Sequence, residues 1–245
     1  MRKLILHIPH SSTNIPFFEG YIDDKEKITK EIEKLTDWYT DDLFATETDD
    51  KIITPFSRIF CDVERFSDDN QEEMSKFGMG MLYEKFDNGN KLRTVTSELR
   101  KSILENYYSK HHIKLLHFVK TSLKEKNECL IVDCHSFPNE TLNCAVNKST
   151  FRPDFNIGTD SFHTPKKLIT ISKRYFEELG YSLGIDEPYS GSIVPMMYYK
   201  KDHRVKSIML EINRKLYLSG MEKSDGYYKT KEVVQGYLNL LKKNS

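Results

Sequence analysis

The chain has 245 residues, enough to bury a sizeable core, with 37 basic against 37 acidic side chains and no formal net charge. That balance argues against a nucleic-acid protein, whose footprint is a basic excess, and no apolar run approaches the length of a bilayer span. Cys61, Cys129, Cys134 and Cys144 lack paired CxxC spacing and lie in or near apolar runs, which fits reduced, mostly buried thiols in a cytoplasmic protein.

Residues 3–8, Lys-Leu-Ile-Leu-His-Ile, predict a first strand, and the stretch from Met1 to His7 holds too few apolar residues for a signal peptide. Pro9 to Pro16 form a polar loop. His10 therefore stands just past a strand end, where it can meet a metal, a substrate or plain solvent. His7 lies within the strand and reads as structural. Between 24 and 47, Ile28, Ile32, Leu35, Trp38, Leu43 and Phe44 are spaced as a helical stripe with a break at Thr36-Asp37. Asp37 reads either as a helix cap or as a carboxylate held near a site; Asp41 and Asp42 read as solvated. Residues 51–61 read as strand in two pieces, running into Asp62-Val63-Glu64-Arg65. Arg58, Asp62, Glu64 and Arg65 suit an anion clamp or a salt-bridged edge strand. The polar stretch 67–94, with Gly78, Gly80 and Gly89, predicts a long excursion over the site.

The strongest helix is predicted over 97–126, with Ser97 as its N-cap; His111, His112 and His117 read as surface or core-edge residues, since adjacent helical positions point apart. Leu130 to Phe137 follows as a buried strand that turns polar. Asp133 and His135 alternate onto one face, as a ligand beside its support or an acid–base pair, and a strand ending in a polar turn fits the same residues. Further on, a short strand is predicted at 143–147, an apolar alternation within 151–160, a helix from Pro165 to about Leu179 and a strand at 180–185. Pro188 to Ser192 then forms a turn able to cradle a polar ligand, ahead of a last strand at 207–214 and a final helix over about 227–243. Glu211 and Asn213 share a face of that last strand. An acid there is costly to bury alone and implies a partner or a task. No repeat or linker divides the chain, so residues 1–245 read as one α/β domain, a mostly parallel sheet with helices on both faces.

Taken together, His10, Asp133, His135, Glu211 and the arginines of 58–65 contain two histidines and a carboxylate, the usual donor set of a catalytic zinc with an open position. A further glutamate can shuttle a proton and an arginine can hold an oxyanion. That is a kit for amide hydrolysis.

Seven segments, in order, resemble the N-formylglutamate amidohydrolase family: His7 to Ser12, Ser57 to Arg65, Asp133-Cys134-His135-Ser136, Arg152 to Asp160, His163-Thr164-Pro165, Pro188 to Ser192 and Leu210 to Tyr217. The family is similar in fold to the zinc carboxypeptidases, which implies a three-layer α/β/α domain around a mixed sheet. The resemblance implies one zinc ion held by His10, Asp37 and His135, with Asp62 and Glu64 as alternative acidic ligands. Glu211 becomes the catalytic carboxylate with Arg65 beside it, and Ser11, Arg58, Arg152, Tyr189, Ser190 and Asn213 become substrate contacts. The substrate implied is a small N-acyl amino acid, N-formylglutamate in the family's case. A carboxypeptidase-like or cell-wall peptide amidase, or an inactive ligand-binding relative, are the other readings. Two departures stand out. Carboxypeptidases keep an acid three residues after the first histidine, where this chain has Thr13, and many family members have Asn where this chain has Glu64.

Overall fold

Short β-branched runs bounded by polar turns build one six-stranded sheet in the computed structural model, which describes residues 3–244. Met1 and Arg2, read as part of the lead into the first strand, lie outside the described residues, as does Ser245. In chain order the elements are β1 (Ile5–Ile8), α1 (Lys25–Leu35), α2 (Thr40–Leu43), β2 (Asp50–Ile53) and α3 (Ser97–Ile103). A π-helical turn at Leu104–Tyr108 carries α3 into α4 (Ser109–Lys126). Then come β3 (Cys129–Phe137), β4 (Phe155–Gly158), α5 (Lys166–Glu178), β5 (Leu183–Ile185), β6 (Val205–Asn213), the small hairpin β7 (Leu218–Ser219) and β8 (Glu222–Lys223), and α6 (Tyr227–Asn244).

The strand order is β2-β1-β3-β6-β4-β5. The first four run parallel, β4 is antiparallel to β6, and β5 runs parallel to β4. The sheet is therefore mixed and mostly parallel, as expected. Alternation sorts its side chains into two layers. Leu6, Val132 and Leu210 pack with Leu168 and Phe176 of α5 and Val234 and Leu238 of α6. On the other face Ile5, Ile131 and Val205 pack with Leu115 and Val119 of α4. Each such side chain, fully buried, contributes roughly 1.5–3 kcal/mol. All nine residues of β3 are buried, so its polar members need partners. Register supplies neighbours: His7 pairs with Asp133, and His135 with Glu211.

Several expectations are corrected. Residues 57–61 are not a strand. Phe60 N donates to Ser57 O (3.0 Å) and Arg65 N to Asp62 O (3.3 Å), two tight turns that bury Ile59 and Phe60 away from the sheet. Residues 143–147 are not a strand either. The Asp87 carboxylate accepts from Cys144 N (2.8 Å) and Asn143 Nδ2 (3.0 Å), so a side chain replaces the ladder. The N-cap of α3 is Thr96, whose hydroxyl accepts from Leu99 N, rather than Ser97. Asp42 is tied to α6 through Tyr227 Oη (2.5 Å) and Lys231 Nζ (2.7 Å) instead of standing free in solvent. The hairpin β7–β8 follows the strand read as last.

The excursion 67–94 carries one 3-10 turn at Glu73–Phe77 and buries Met74, Met79, Tyr83 and Leu92 against Ile28 and Leu35 of α1. All four cysteines are buried thiols. Among the described residues no helix is long and apolar enough to cross a membrane.

Candidate active site

The site is assembled at one end of the central strands. His10 lies just past β1, and His135 and Glu211 face each other across the β3–β6 register. Asp37 comes from the break between α1 and α2. Thr36 leaves the helix in an extended conformation, and Asp37 N donates to His10 O (3.0 Å), which docks the break against the first histidine. Asp37 does not cap α2 with its side chain. Its Oδ2 sits 3.0 Å from His135 Nδ1 and 3.7 Å from His10 Nδ1, and its Oδ1 accepts from Arg214 Nη2 at 2.9 Å.

Each histidine is turned by a carboxylate behind it. His10 Nε2 lies 2.8 Å from Asp62 Oδ1, and Asp62 is itself braced by Arg58 Nη2 (2.9 Å) and Tyr83 Oη (2.9 Å). His135 Nε2 lies 3.2 Å from Asp133 Oδ1 and 3.1 Å from Glu64 Oε2. With Nε2–H donating in both rings, the two Nδ1 atoms face Asp37. Metal-ligating histidines are oriented in this way.

The donors fit a divalent ion. One nitrogen from each histidine and one Asp37 oxygen lie within 4.8 Å of one another, and two nitrogens with one carboxylate suit zinc with an open position. His10 Nδ1 is buried and has no hydrogen-bond partner, a costly state that a ligand would relieve. Two other sets, His7 with Glu64 and Asp133, and His10 with Asp62 and Glu64, also meet on distance. Their histidine nitrogens already bond carboxylates, at 2.7 Å for His7 Nδ1 and 2.8 Å for His10 Nε2. Of the three acids considered, Asp37 is the one whose oxygen is shared between the two Nδ1 atoms, with Asp62 standing behind His10.

Above this floor is a cavity of about 480 Å³, lined among others by Asp37, His135, Glu211, Arg58, Arg65, Tyr189 and Ser190. His10 is buried beneath it. Arg152 sits behind Tyr189, its guanidinium 6.0 Å from the ring centre and its Nη2 donating to Thr141 Oγ1 at 2.8 Å. Ser11 and Asn213, expected to touch substrate, do not line the cavity. The Asn213 amide is used up by Pro153 O (3.0 Å), Asn139 Oδ1 (3.1 Å) and Lys215 N (3.1 Å).

The family model described as N-formylglutamate amidohydrolase matches residues 2–218. This chain belongs to that family. Among solved structures it is similar to N-formylglutamate amidohydrolase from Ralstonia eutropha JMP134, with a TM-score of 0.85 at 19% identity over 98% of this chain and 92% of that one. It is also similar to the gene product Atu2144 from Agrobacterium tumefaciens, with a TM-score of 0.66 at 14% identity over 97% and 90%. Likenesses at such identities concern the fold. No curated protein matches the chain.

Within this member of the family, the charges around the floor are strongly coupled. Burial opposes charge on His135, but Glu64 and Asp133 outweigh it and hold the imidazole well above its ordinary value. Burial likewise opposes ionisation of Asp37, and the neighbouring imidazoles of His10 and His135 overcome it. A cation between those groups would take the place of the protons they now share. Burial pushes the Glu211 carboxyl up to about 7; His135 pulls it down, and Asp37 and Glu64 push it further up. Glu211 Oε2 is buried without a partner. Arg214, whose guanidinium clamps Asp37, and Asp133, which turns His135, complete the floor. The signal for Arg214 lies in the segment Leu210 to Tyr217; nothing local announces Asp62 as the brace of His10.

Proposed function

We propose that this chain hydrolyses the amide of a small N-acylated acidic amino acid, taking N-formylglutamate to glutamate and formate, with one divalent ion, zinc by its donor set, held by His10, Asp37 and His135. The observation that carries this reading is the partnerless His10 Nδ1 facing Asp37 and His135, with Glu211 beside them on the adjoining strand. An ion held there supplies Lewis acidity, polarising a carbonyl and lowering the pKa of water to about 7.

The protein's own groups do the rest. Glu211 takes a proton from the attacking water and returns it to the departing nitrogen, the double role of a general base and then acid. Its buried, partnerless oxygen is free for that task. Arg65 and Arg58, both lining the cavity, hold the substrate carboxylates or the oxyanion. Tyr189 and Ser190 close the side wall. The cavity, lined on one side by Met74, Met79 and Tyr83 of the excursion, has a volume that suits a single amino acid. We read residues 1–245 as one catalytic domain, working in the cytoplasm as its buried thiols suggest.

The test is formate release from N-formylglutamate, N-formylglutamine and short N-formyl peptides, with and without a chelator. Release from N-formylglutamate that a chelator abolishes and Glu211→Gln suppresses is the expected result. A metal-replete protein inert toward all of these, or equally active with Gln at 211, rules the reading out.

A further inference from the structure

The buried histidines His7 and His111 take no part in the reaction as proposed, yet they are joined to it by an unbroken row of hydrogen bonds. His7 Nδ1 lies 2.7 Å from Asp133 Oδ1, and His7 Nε2 lies 2.8 Å from His111 Nε2. His111 Nδ1 lies 3.3 Å from Thr54 Oγ1, just past β2. At the other end, Asp133 Oδ1 meets His135 Nε2 at 3.2 Å, while its Oδ2 accepts from Ile193 N at 3.0 Å. His7 is fully buried and His111 nearly so.

Directions along this row are fixed by chemistry. An ionised carboxylate only accepts, so His7 Nδ1 must carry hydrogen. A contact of 2.8 Å between two ring nitrogens has room for one proton. Where His7 carries its hydrogen on Nδ1 alone, it accepts at Nε2, and His111 donates from its own Nε2. The Thr54 hydroxyl, able to donate or accept, then donates to His111 Nδ1. Burial drives the His111 ring down to about 2, so it is neutral under physiological conditions.

We infer that His111 is a positioning residue: acting through His7 it sets the orientation of Asp133, and through Asp133 the tautomer of His135 that presents Nδ1 to the ion. This rests on His135 being a ligand, as proposed above. The row is not needed as an exit for protons. Hydrolysis of a formamide joins R–NH–CHO and H2O to give R–NH3+ and HCOO−, and every hydrogen of the water ends on a product. What the row supplies is direction. Without the Nε2–H of His111, the buried His7 Nε2 is left without a donor and the ring loses one of the two bonds that hold it in place, which would loosen the aim of the Asp133 carboxylate.

Two measurements test this. In metal-free protein, 15N imidazole NMR is expected to show hydrogen on His7 Nδ1 and His111 Nε2, with His7 Nε2 and His111 Nδ1 bare; hydrogen on His7 Nε2 overturns the inference. In competition with a chromophoric chelator, His111→Leu is expected to weaken Zn2+ binding by roughly 3- to 10-fold, less than the loss of a group bonded directly to a ligand. His111→Gln, which keeps an N–H at the same reach, is expected to recover most of it. A folded His111→Leu protein that binds Zn2+ like the parent overturns the inference, as does a Gln variant no better than Leu. Should the Leu variant fail to fold, the parent's NMR pattern still decides. A parent chain that takes up no Zn2+ strikes instead at the proposed function.

Discussion

Glu211 lies where β6 leaves an acid inside an apolar strand, and its raised carboxyl gives the metal-free protein a pH signature. The folded state holds a proton there up to about 7, whereas the unfolded chain releases it in the ordinary carboxylate range. The stabilisation is therefore full below that range and is lost as pH rises through about 7. Denaturant unfolding across a pH series is expected to show that decline, and Glu211→Gln to flatten it. In the metal-replete enzyme the same substitution is expected to lower kcat by about 10²- to 10⁴-fold with little change in KM, the mark of a lost proton shuttle. The two arginines are expected to separate. Arg58 bonds buried Asp62 at 2.9 Å, so Arg58→Met removes one partner of a carboxylate that keeps His10 and Tyr83, and is expected to cost about 1–3 kcal/mol in unfolding. Arg65 reaches Asp62 only through Nε at 3.5 Å, an ion pair without a hydrogen bond. Arg65→Met is expected to cost less stability while raising KM for N-formylglutamate more than for N-formylglutamine, read by steady-state kinetics.

Elements explain which parts of this arrangement were legible in the sequence. Strands with alternating polarity, such as the one that carries Asp133 and His135, show their faces directly, and the break at Thr36-Asp37 shows in the helical stripe. Motif resemblance then pointed to His10, Asp37, His135 and Glu211, and the geometry brings these four together. What could not be read was set by distant partners. The brace on His10 is 52 residues away in Asp62, and His111 reaches β1 only because α4 packs on that face of the sheet. The turns at 57–61 carry apolar residues in a strand-like run, yet those residues are buried under the excursion. Strand direction is invisible to periodicity, so the reversal of β4 had no signal. Gly158 at the end of β4 offers a test of how that strand supports the site. A Cβ there would lie 2.4 Å from Gly191 O and 2.2 Å from Met209 Cε. Gly158→Ala is expected to destabilise by about 1–3 kcal/mol, the usual cost of overpacking, and to raise KM by pushing the turn that bears Tyr189 and Ser190. Thermal unfolding and kinetics together check both halves.

Across the whole molecule, the proposed ligands come from a loop after β1, a helix break and the centre of the sheet, so an ion joining them would bind the folded chain and not the unfolded one. Zn2+ at about a hundred times its Kd is then expected to stabilise the protein by about 2.7 kcal/mol in denaturant titrations, and His10→Ala or Asp37→Ala to abolish the gain. The apolar packing is divided in a way that matters beyond stability. The reactive floor stands on the two clusters that sandwich the sheet, whereas the roof of the cavity, from Met74 to Leu92, rests on its own cluster with α1. Changes in the roof that spare Tyr83, which braces Asp62, and the packing of Leu35, which leads to Asp37, leave the strands that aim His135 and Glu211 in place. Such a partition lets descendants of one chain drift in what they admit while inheriting unaltered the chemistry that acts on it.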